Sequence, residues 1–169
     1  MQGNPYRTRW AAWLPTALEA LGQDPPDYRA VMPTMPMPPP LTETPFAGPV
    51  NPRSIAVLTT SGAYDVNVHA PFTASSILGD ATHRVIDTWT RADAIDFAHE
   101  HFNQDAARRD LESVLPRASI TACGVRLSPR IISWSGFLLD WPTFIEATIP
   151  QIVKQVSIDQ PDAALLVPI

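Results

Sequence analysis

Two histidines flank an acidic residue directly after a short apolar run. His99 and His101 lie on either side of Glu100, and residues 94–98 precede them. On an extended chain, residues i and i+2 point to the same face, so both imidazoles can converge on one ligand or metal ion. Histidine also titrates near neutral pH, which suits acid–base catalysis. We therefore predict His99 and His101 as candidate catalytic residues, with a solvated turn and a His-based metalloenzyme as the alternatives.

Hydroxyl side chains follow a predicted buried strand. Residues 55–58 form an apolar run that is rich in β-branched side chains and too short for a helix. Thr60 and Ser61 come just after this run, and Gly62 permits a sharp turn. In open α/β sheets, ligands bind outside the carboxyl ends of the strands, so we predict that Thr60 and Ser61 bind substrate. An ordinary polar turn after a core strand is the alternative.

The same combination of a hydroxyl and a glycine recurs at Ser135-Gly136, after the apolar residues 130–134. This turn can also place a hydroxyl and backbone N–H groups at the carboxyl edge of the sheet. Arg84 carries a planar guanidinium group that fits a substrate carboxylate, and a structural ion pair is the alternative for this residue. We predict Arg84, Ser135 and Gly136 as further substrate-binding residues.

Motifs that bind nucleotides or activate a nucleophile are missing from the sequence. There is no Gly-x-x-x-x-Gly-Lys, no Gly-x-Gly-x-x-Gly and no Ser/His/Asp nucleophile elbow. The two histidines and their neighbouring acids do not form a complete set of metal ligands. The preferred prediction therefore assigns no cofactor and no metal.

Four short apolar runs are predicted to be strands, and helical segments separate them. The predicted strands are residues 55–58, 94–98, 130–134 and 162–169. Helices are predicted within residues 106–115 and 141–156, with a kink or break at Pro150 in the second. Strands that alternate with helices indicate an α/β fold with a mostly parallel open sheet and flanking helices.

The amino-terminal quarter of the chain has a different composition. Residues 8–21 have helical spacing, but Pro15 interrupts it, so we predict a helix from about Pro15 that ends at Gly22. Residues 25–52 are rich in proline and favour an extended arm packed over the domain, or else a segment that a proline-binding partner recognises. The predicted domains are residues 1–44, a helix and an arm, and residues 45–169.

Composition narrows the class of protein. The 169 residues carry a formal net charge of −5, which predicts no nucleic-acid or anionic membrane partner. No apolar stretch reaches the roughly 20 residues that a membrane span needs, and the start lacks a secretory signal, so we expect a cytoplasmic protein. Cys123 is the single cysteine. Its small and apolar neighbours predict a buried, inert thiol.

Several short motifs together resemble one known family. In chain order they are residues 49–62, Pro71-Phe72, Gly79-Asp80 with Arg84, residues 98–105, residues 110–116, residues 132–137 and residues 162–168. Their order and spacing resemble component B of the glycine, sarcosine, betaine and D-proline reductases, also called selenoprotein B. The resemblance covers roughly residues 45–169. The chain departs from the pattern at Glu112, where the family's stretch has asparagine.

The resemblance implies a reductase that cleaves a carbon–nitrogen bond of a small amino-acid-type substrate. It also implies partner subunits of the reductase, or a homo-oligomer. In that family a selenocysteine or cysteine attacks the substrate, and it directly follows the strand that residues 162–168 resemble. Ile169 stands just before that position, and Cys123 lies upstream of it. Two expectations follow: a reductase truncated at a selenocysteine codon, or a short relative that acts as a non-catalytic binding or assembly subunit.

Overall fold

The computed structural model describes residues 5–38, 40, 47–99 and 102–169. Contacts divide the chain into two compact units, residues 1–45 and residues 46–169. In the described part of the chain, we find no helix with the length and the apolar character that a membrane span requires.

The first unit consists of helix α1 (Pro5–Leu21), helix α2 (Tyr28–Val31) and a 3-10 turn (Met32–Thr34). The prediction that the helix starts near Pro15 was wrong, because α1 begins ten residues earlier and includes Pro15. A proline inside a helix removes one N–H donor, and the turns on both sides of it keep their own hydrogen bonds. The Trp13 Nε1 atom donates to Thr34 Oγ1 at 3.1 Å and ties α1 to the 3-10 turn.

The described residues of the second unit form six strands. They are β1 (Ser54–Thr59), β2 (Ala63–Asp65), β3 (His83–Asp87), β4 (Ile95–Phe97), β5 (Arg126–Trp134) and β6 (Ala163–Val167). Its α-helices are α3 (Gln104–Arg109), α4 (Arg117–Ala122), α5 (Trp141–Thr143) and α6 (Ile149–Asp159). Two 3-10 turns (Ala92–Ala94 and Leu111–Ser113) and one π-helical segment (Phe144–Thr148) complete the described elements.

The main sheet has the strand order β3-β5-β1-β6. Strand β1 is parallel to β5 and to β6, and β3 runs antiparallel to β5. Helices flank this sheet, so the predicted α/β class with a mostly parallel sheet is confirmed. The predicted strand near residues 94–98 does not join it, because β4 pairs with β2 in a separate antiparallel ribbon.

The apolar side chains of β5 pack on both faces of the sheet. Ile131 belongs to a cluster that includes Val57 and Ile86, and the adjacent Ile132 packs with Phe144 and Ile152. Successive side chains of a strand point to opposite faces, so one continuous apolar run serves both clusters. Burial on both faces is what the run of residues 130–134 predicts for a central strand.

The predicted interruption near Pro150 is visible as a change of helix type. Helix α5 passes into the π-helical segment, and α6 starts one residue before Pro150. Proline has no N–H to continue the i→i−4 pattern. The preceding Ile149 N–H donates instead to the Phe144 carbonyl, five residues back.

Candidate functional site

Three chain segments meet beyond the carboxyl ends of β1 and β5. Ser61 forms an isolated antiparallel bridge with Ser135. The Gly62 N–H donates to the Trp134 carbonyl at 3.0 Å, and the Ala98 N–H donates to the Gly62 carbonyl at 3.0 Å. The two Ser-Gly turns and the end of β4 are therefore held together by backbone hydrogen bonds. This is the edge of the sheet at which the sequence predicts a ligand site.

His99 follows β4 and lies at the centre of this edge. Its side chain is buried, with 4% of the residue exposed. Its ring meets the Phe102 ring edge to face at 5.5 Å between centroids, and the Gln104 Nε2 atom donates to its carbonyl at 2.7 Å. A pocket of about 240 Å³ opens beside it and is lined by His99, Gly136, Phe137 and Ile169.

The hydroxyl groups of this edge mainly hold the turns together. Thr59 Oγ1 donates to Ser61 Oγ at 3.0 Å and accepts the Ser61 N–H at 3.2 Å, and both residues are fully buried. Ser135 is also buried, and its hydroxyl faces the Phe137 carbonyl at 3.4 Å. Ser61 and Ser135 are thus placed at the predicted edge, but their hydroxyls bond within the protein and do not line the pocket beside His99.

Thr60 fixes the chain that follows β6. Its hydroxyl accepts the Ile169 N–H at 2.8 Å, and its backbone N–H donates to the Val167 carbonyl at 3.2 Å. Ile169 is consequently held against the pocket, of which it forms one wall. Of the predicted residues, His99 and Gly136 therefore line one small cavity, and Thr60 holds Ile169 in its wall.

Arg84 lies near this edge, but its guanidinium group bonds to residues outside the pocket lining. It pairs with Ser133 across β3 and β5. Its guanidinium group donates to the carbonyls of Ala70 and Pro71 at 3.0 and 3.3 Å and to Thr82 Oγ1 at 2.7 Å. These bonds fasten the loop before β3, and the structure does not place Arg84 in the lining of the pocket beside His99.

His101, the second histidine of the predicted pair, lies outside the described residues, as does Glu100. Two other histidines are described. The Nδ1 atom of His69 accepts the Asp65 N–H at 3.2 Å. Burial lowers the pKa of His69 and of His83, and the nearby charge of Arg84 lowers the pKa of both further. The lowered pKa favours the neutral imidazole in both residues.

The prediction of a buried Cys123 was wrong. Its thiol is exposed because it lies at the end of the short helix α4, where residues 121–124 all face solvent. Cys123 also precedes the amino end of β5, whereas the pocket lies beyond the carboxyl end of that strand. Nine residues at about 3.3 Å each separate the two ends by roughly 30 Å.

The structure also has a hollow that the sequence reasoning missed. Its volume is about 560 Å³, and Trp89, Arg91, Glu112, Arg117 and Ala118 are among its lining residues. Trp89 is 69% exposed at the turn after β3. The sequence signal that could have indicated this hollow is a tryptophan between polar residues just after a strand. Glu112 and Arg117 both bond to backbone groups here, so they stabilise the surrounding turns.

The chemistry available at the edge is that of an imidazole beside a small cavity with backbone polar groups. In the described part of the chain, no three His, Cys, Asp or Glu side chains are grouped so that they could hold a metal ion. Comparisons with protein-family models, with curated proteins and with solved structures found no match.

Proposed function

We propose that residues 46–169 form the substrate-binding part of a reductase of the component B type, which acts on a small amino-acid-type molecule. One observation carries the proposal: His99 and Gly136, predicted separately from sequence, line one pocket at the carboxyl edge of the sheet, and Thr60 holds Ile169 in the wall of that pocket. A volume of about 240 Å³ suits a molecule of a few heavy atoms. The family resemblance of the motifs around these residues supplies the reaction class.

In this reaction a thiolate or selenolate attacks the carbon that carries the amino group. A carbon–sulfur or carbon–selenium bond forms, the carbon–nitrogen bond breaks with its electron pair on nitrogen, and the amine leaves with a proton. His99 is proposed as the acid that supplies this proton. A dithiol then supplies two electrons: the carbon–sulfur or carbon–selenium bond breaks, the carbon takes up a proton, the thiol or selenol is regenerated, and the dithiol becomes a disulfide. We propose a cytoplasmic location because the thiol pool of the cytoplasm keeps a thiolate or selenolate nucleophile reduced.

The nucleophile is proposed to come from outside the described residues of this chain. Cys123 is the one cysteine in the sequence, and it lies at the opposite end of β5 from the pocket. The Thr60 contacts hold Ile169 in the pocket wall, so chain that continues from it or a partner subunit that docks there reaches His99 directly.

The proposal is tested by titrating the protein with glycine and with D-proline while recording backbone amide NMR signals. We expect saturable shifts of the Gly62, His99 and Gly136 signals, and no shift at Gly124, which lies at the amino end of β5. Acetate, which has a carboxylate and no amine, is the matched ligand control and should bind at least tenfold more weakly.

His99→Ala should abolish these shifts, whereas His69→Ala, away from the pocket lining, should leave them unchanged. Shifts that map to Trp89 and Arg117 would assign the ligand to the other hollow. An absence of saturable shifts for both amino acids would refute the proposed substrate class.

A second candidate function, an assembly subunit, is favoured by the exposed edge strand β6. Leu165 and Leu166 point to opposite faces and are 39% and 55% exposed, and the strand carries no charged residue. The other edge, β3, contains Arg84 and Asp87. Natural sheets protect their edges with such charges, so an uncharged apolar edge suits a paired strand. A second copy of this chain and a reductase partner subunit are the proposed occupants.

Sedimentation velocity over a range of concentrations tests pairing between copies. We expect reversible dimers that Leu166→Lys weakens and that Val153→Lys, at a 56% exposed position on α6, leaves intact. A monomer at every concentration rules out the second copy as the occupant. Equal weakening by both substitutions would show that the strand edge is not the contact.

A further inference from the structure

We infer that Gly62 and Gly136 are positioning residues that clamp the His99 side chain from both ends. A β-carbon on Gly62 would lie 3.0 Å from the Ala98 carbonyl oxygen and 3.1 Å from the His99 Cβ atom, and one on Gly136 would lie 2.8 Å from His99 Nε2. The imidazole therefore fills the space that a side chain at Gly136 would occupy, and the base of the His99 side chain lies against Gly62. The catalytic role of His99 rests on the proposed function. The contacts of the two glycines with His99 do not depend on it.

The two glycines differ in what they require. Gly62 has a φ of +65°, so its backbone conformation and its contacts with the Ala98 carbonyl and the His99 Cβ atom all disfavour a side chain. The φ of Gly136 lies outside the left-handed region. The strain that this region imposes on L residues therefore does not apply to an alanine at this position. Only the close approach of His99 Nε2, the Thr60 carbonyl (3.1 Å) and the Ile169 carbonyl (3.3 Å) excludes a side chain at Gly136.

The clamp is rigid because its two sides are joined to each other. The bridge between Ser61 and Ser135 precedes both glycines, and the Gly62 N–H and carbonyl bond to Trp134 and Ala98. The Ala98 bond also fixes the backbone immediately before His99. A histidine held in this way keeps one ring orientation, and preorganised groups of this kind are what an acid–base site needs.

Gly136→Ala is the most direct test because no change of backbone conformation accompanies it. The side-chain NMR signals of the imidazoles are followed against pH. We expect the titration of His99 to shift measurably in Gly136→Ala, while those of His69 and His83 keep their wild-type midpoints. If Gly136→Ala lowered the stability of the protein but left the His99 titration of the folded protein unchanged, the inference would be overturned.

A double-mutant cycle covers the case in which Gly136→Ala folds poorly. In a His99→Ala background the largest clash is gone, so we expect the shift in urea midpoint caused by Gly136→Ala to fall to half or less. An undiminished shift would mean that the Thr60 and Ile169 carbonyls, and not His99, exclude the side chain, which contradicts the clamp.

Gly62→Ala has its own matched control at Gly124. Gly124 has a φ of +75°, and a β-carbon at this position would have no atom within 4 Å, so Gly124→Ala measures the conformational cost alone. We expect Gly62→Ala to lower the urea midpoint more and to move the His99 titration, and Gly124→Ala to leave that titration unchanged. Equal effects of the two substitutions would remove Gly62 from the clamp.

Binding of glycine is recorded in the same variants and separates the two proposals. If the wild-type protein binds no amino acid but the His99 titration moves in Gly136→Ala, the clamp stands and the proposed function fails. If the wild-type protein binds glycine, a displaced imidazole should weaken binding by about tenfold or more, because displacements of about 1 Å in a site can cost up to a hundredfold.

Discussion

The Arg84 guanidinium carbon lies 4.2 Å from the centroid of the Phe72 ring. The same group donates to the backbone carbonyls of Ala70 and Pro71. Arg84 thus closes the loop in front of β3 by a cation–π contact and by hydrogen bonds at once. This geometry assigns it a structural role, where the sequence alone predicted contact with a substrate carboxylate.

Arg84→Ala should therefore destabilise the protein. We expect the free energy of unfolding to fall by about 2 kcal/mol, because several hydrogen bonds to a charged group and one cation–π contact are lost together. Arg91→Ala is the matched control: its ion pair with Asp93 is exposed, so we expect a much smaller loss of stability than for Arg84→Ala. Urea denaturation measures both. Unchanged stability with lost amino-acid binding would restore the carboxylate role.

A largely buried ion pair joins β5 to the end of α6. Arg130 Nε donates to both carboxylate oxygens of Asp159, at 3.1 and 3.2 Å, and the Asp159 side chain is only 5% exposed. Asp159→Asn leaves the charge of Arg130, whose side chain is 30% exposed, without its partner. We expect Asp159→Asn to lower the free energy of unfolding by about 3 kcal/mol.

The control for this prediction is Asp93→Asn, since Asp93 forms an exposed ion pair with Arg91. Its effect should be much smaller than that of Asp159→Asn. Similar losses for the two variants in urea denaturation would show that burial does not strengthen the Arg130–Asp159 pair.

The strands and the two Ser-Gly turns could be predicted from sequence because their signals are local. A short β-branched run predicts a strand, and a hydroxyl followed by glycine predicts the turn at its end. Ser61 and Ser135 then lie together because parallel neighbours end at the same edge of a sheet. The position of His99 next to these turns, in contrast, depends on the pairing of β4 with β2 outside the main sheet. No local sequence pattern predicts that pairing.

The role of Arg84 and the exposure of Cys123 could not be predicted for a related reason. The acceptors of Arg84 are backbone carbonyls 13 and 14 residues away, and every sequence offers such groups. Small neighbours suggested a buried Cys123, but the residue caps the solvent-exposed end of a helix of six residues. Both outcomes depend on tertiary position and not on residue type.

Glu112 makes stability depend on pH. Its carboxylate accepts the Ala118 and Ser119 N–H groups, each at 2.9 Å. Burial raises the pKa of Glu112, but these hydrogen bonds, with the Ser119 hydroxyl, outweigh burial and hold the pKa below its usual value. A depressed pKa means that the ionised form stabilises the fold. This stability is complete above the pKa of an unfolded glutamate, about 4.3, and is lost as the pH falls through the folded value.

Glu112→Gln should therefore lower the free energy of unfolding at pH 7, and its difference from the wild type should shrink as the pH falls below about 4. Glu19→Gln, at an exposed position of α1, is the control and should show no such convergence. Urea denaturation at a series of pH values measures the effect. A constant difference between Glu112→Gln and the wild type would contradict the hydrogen-bonded carboxylate.

The exposed thiol of Cys123 gives the last prediction. Because Cys123 faces solvent at the end of α4, a disulfide reagent such as dithiobis(nitrobenzoate) should titrate one thiol per folded chain. The pocket beside His99 lies beyond the other end of β5, roughly 30 Å away by strand length. Modification of Cys123, or Cys123→Ser, should therefore leave the imidazole titration of His99 and the binding of glycine unchanged. A modified protein that no longer binds glycine would place this thiol at the site and overturn the proposed external nucleophile.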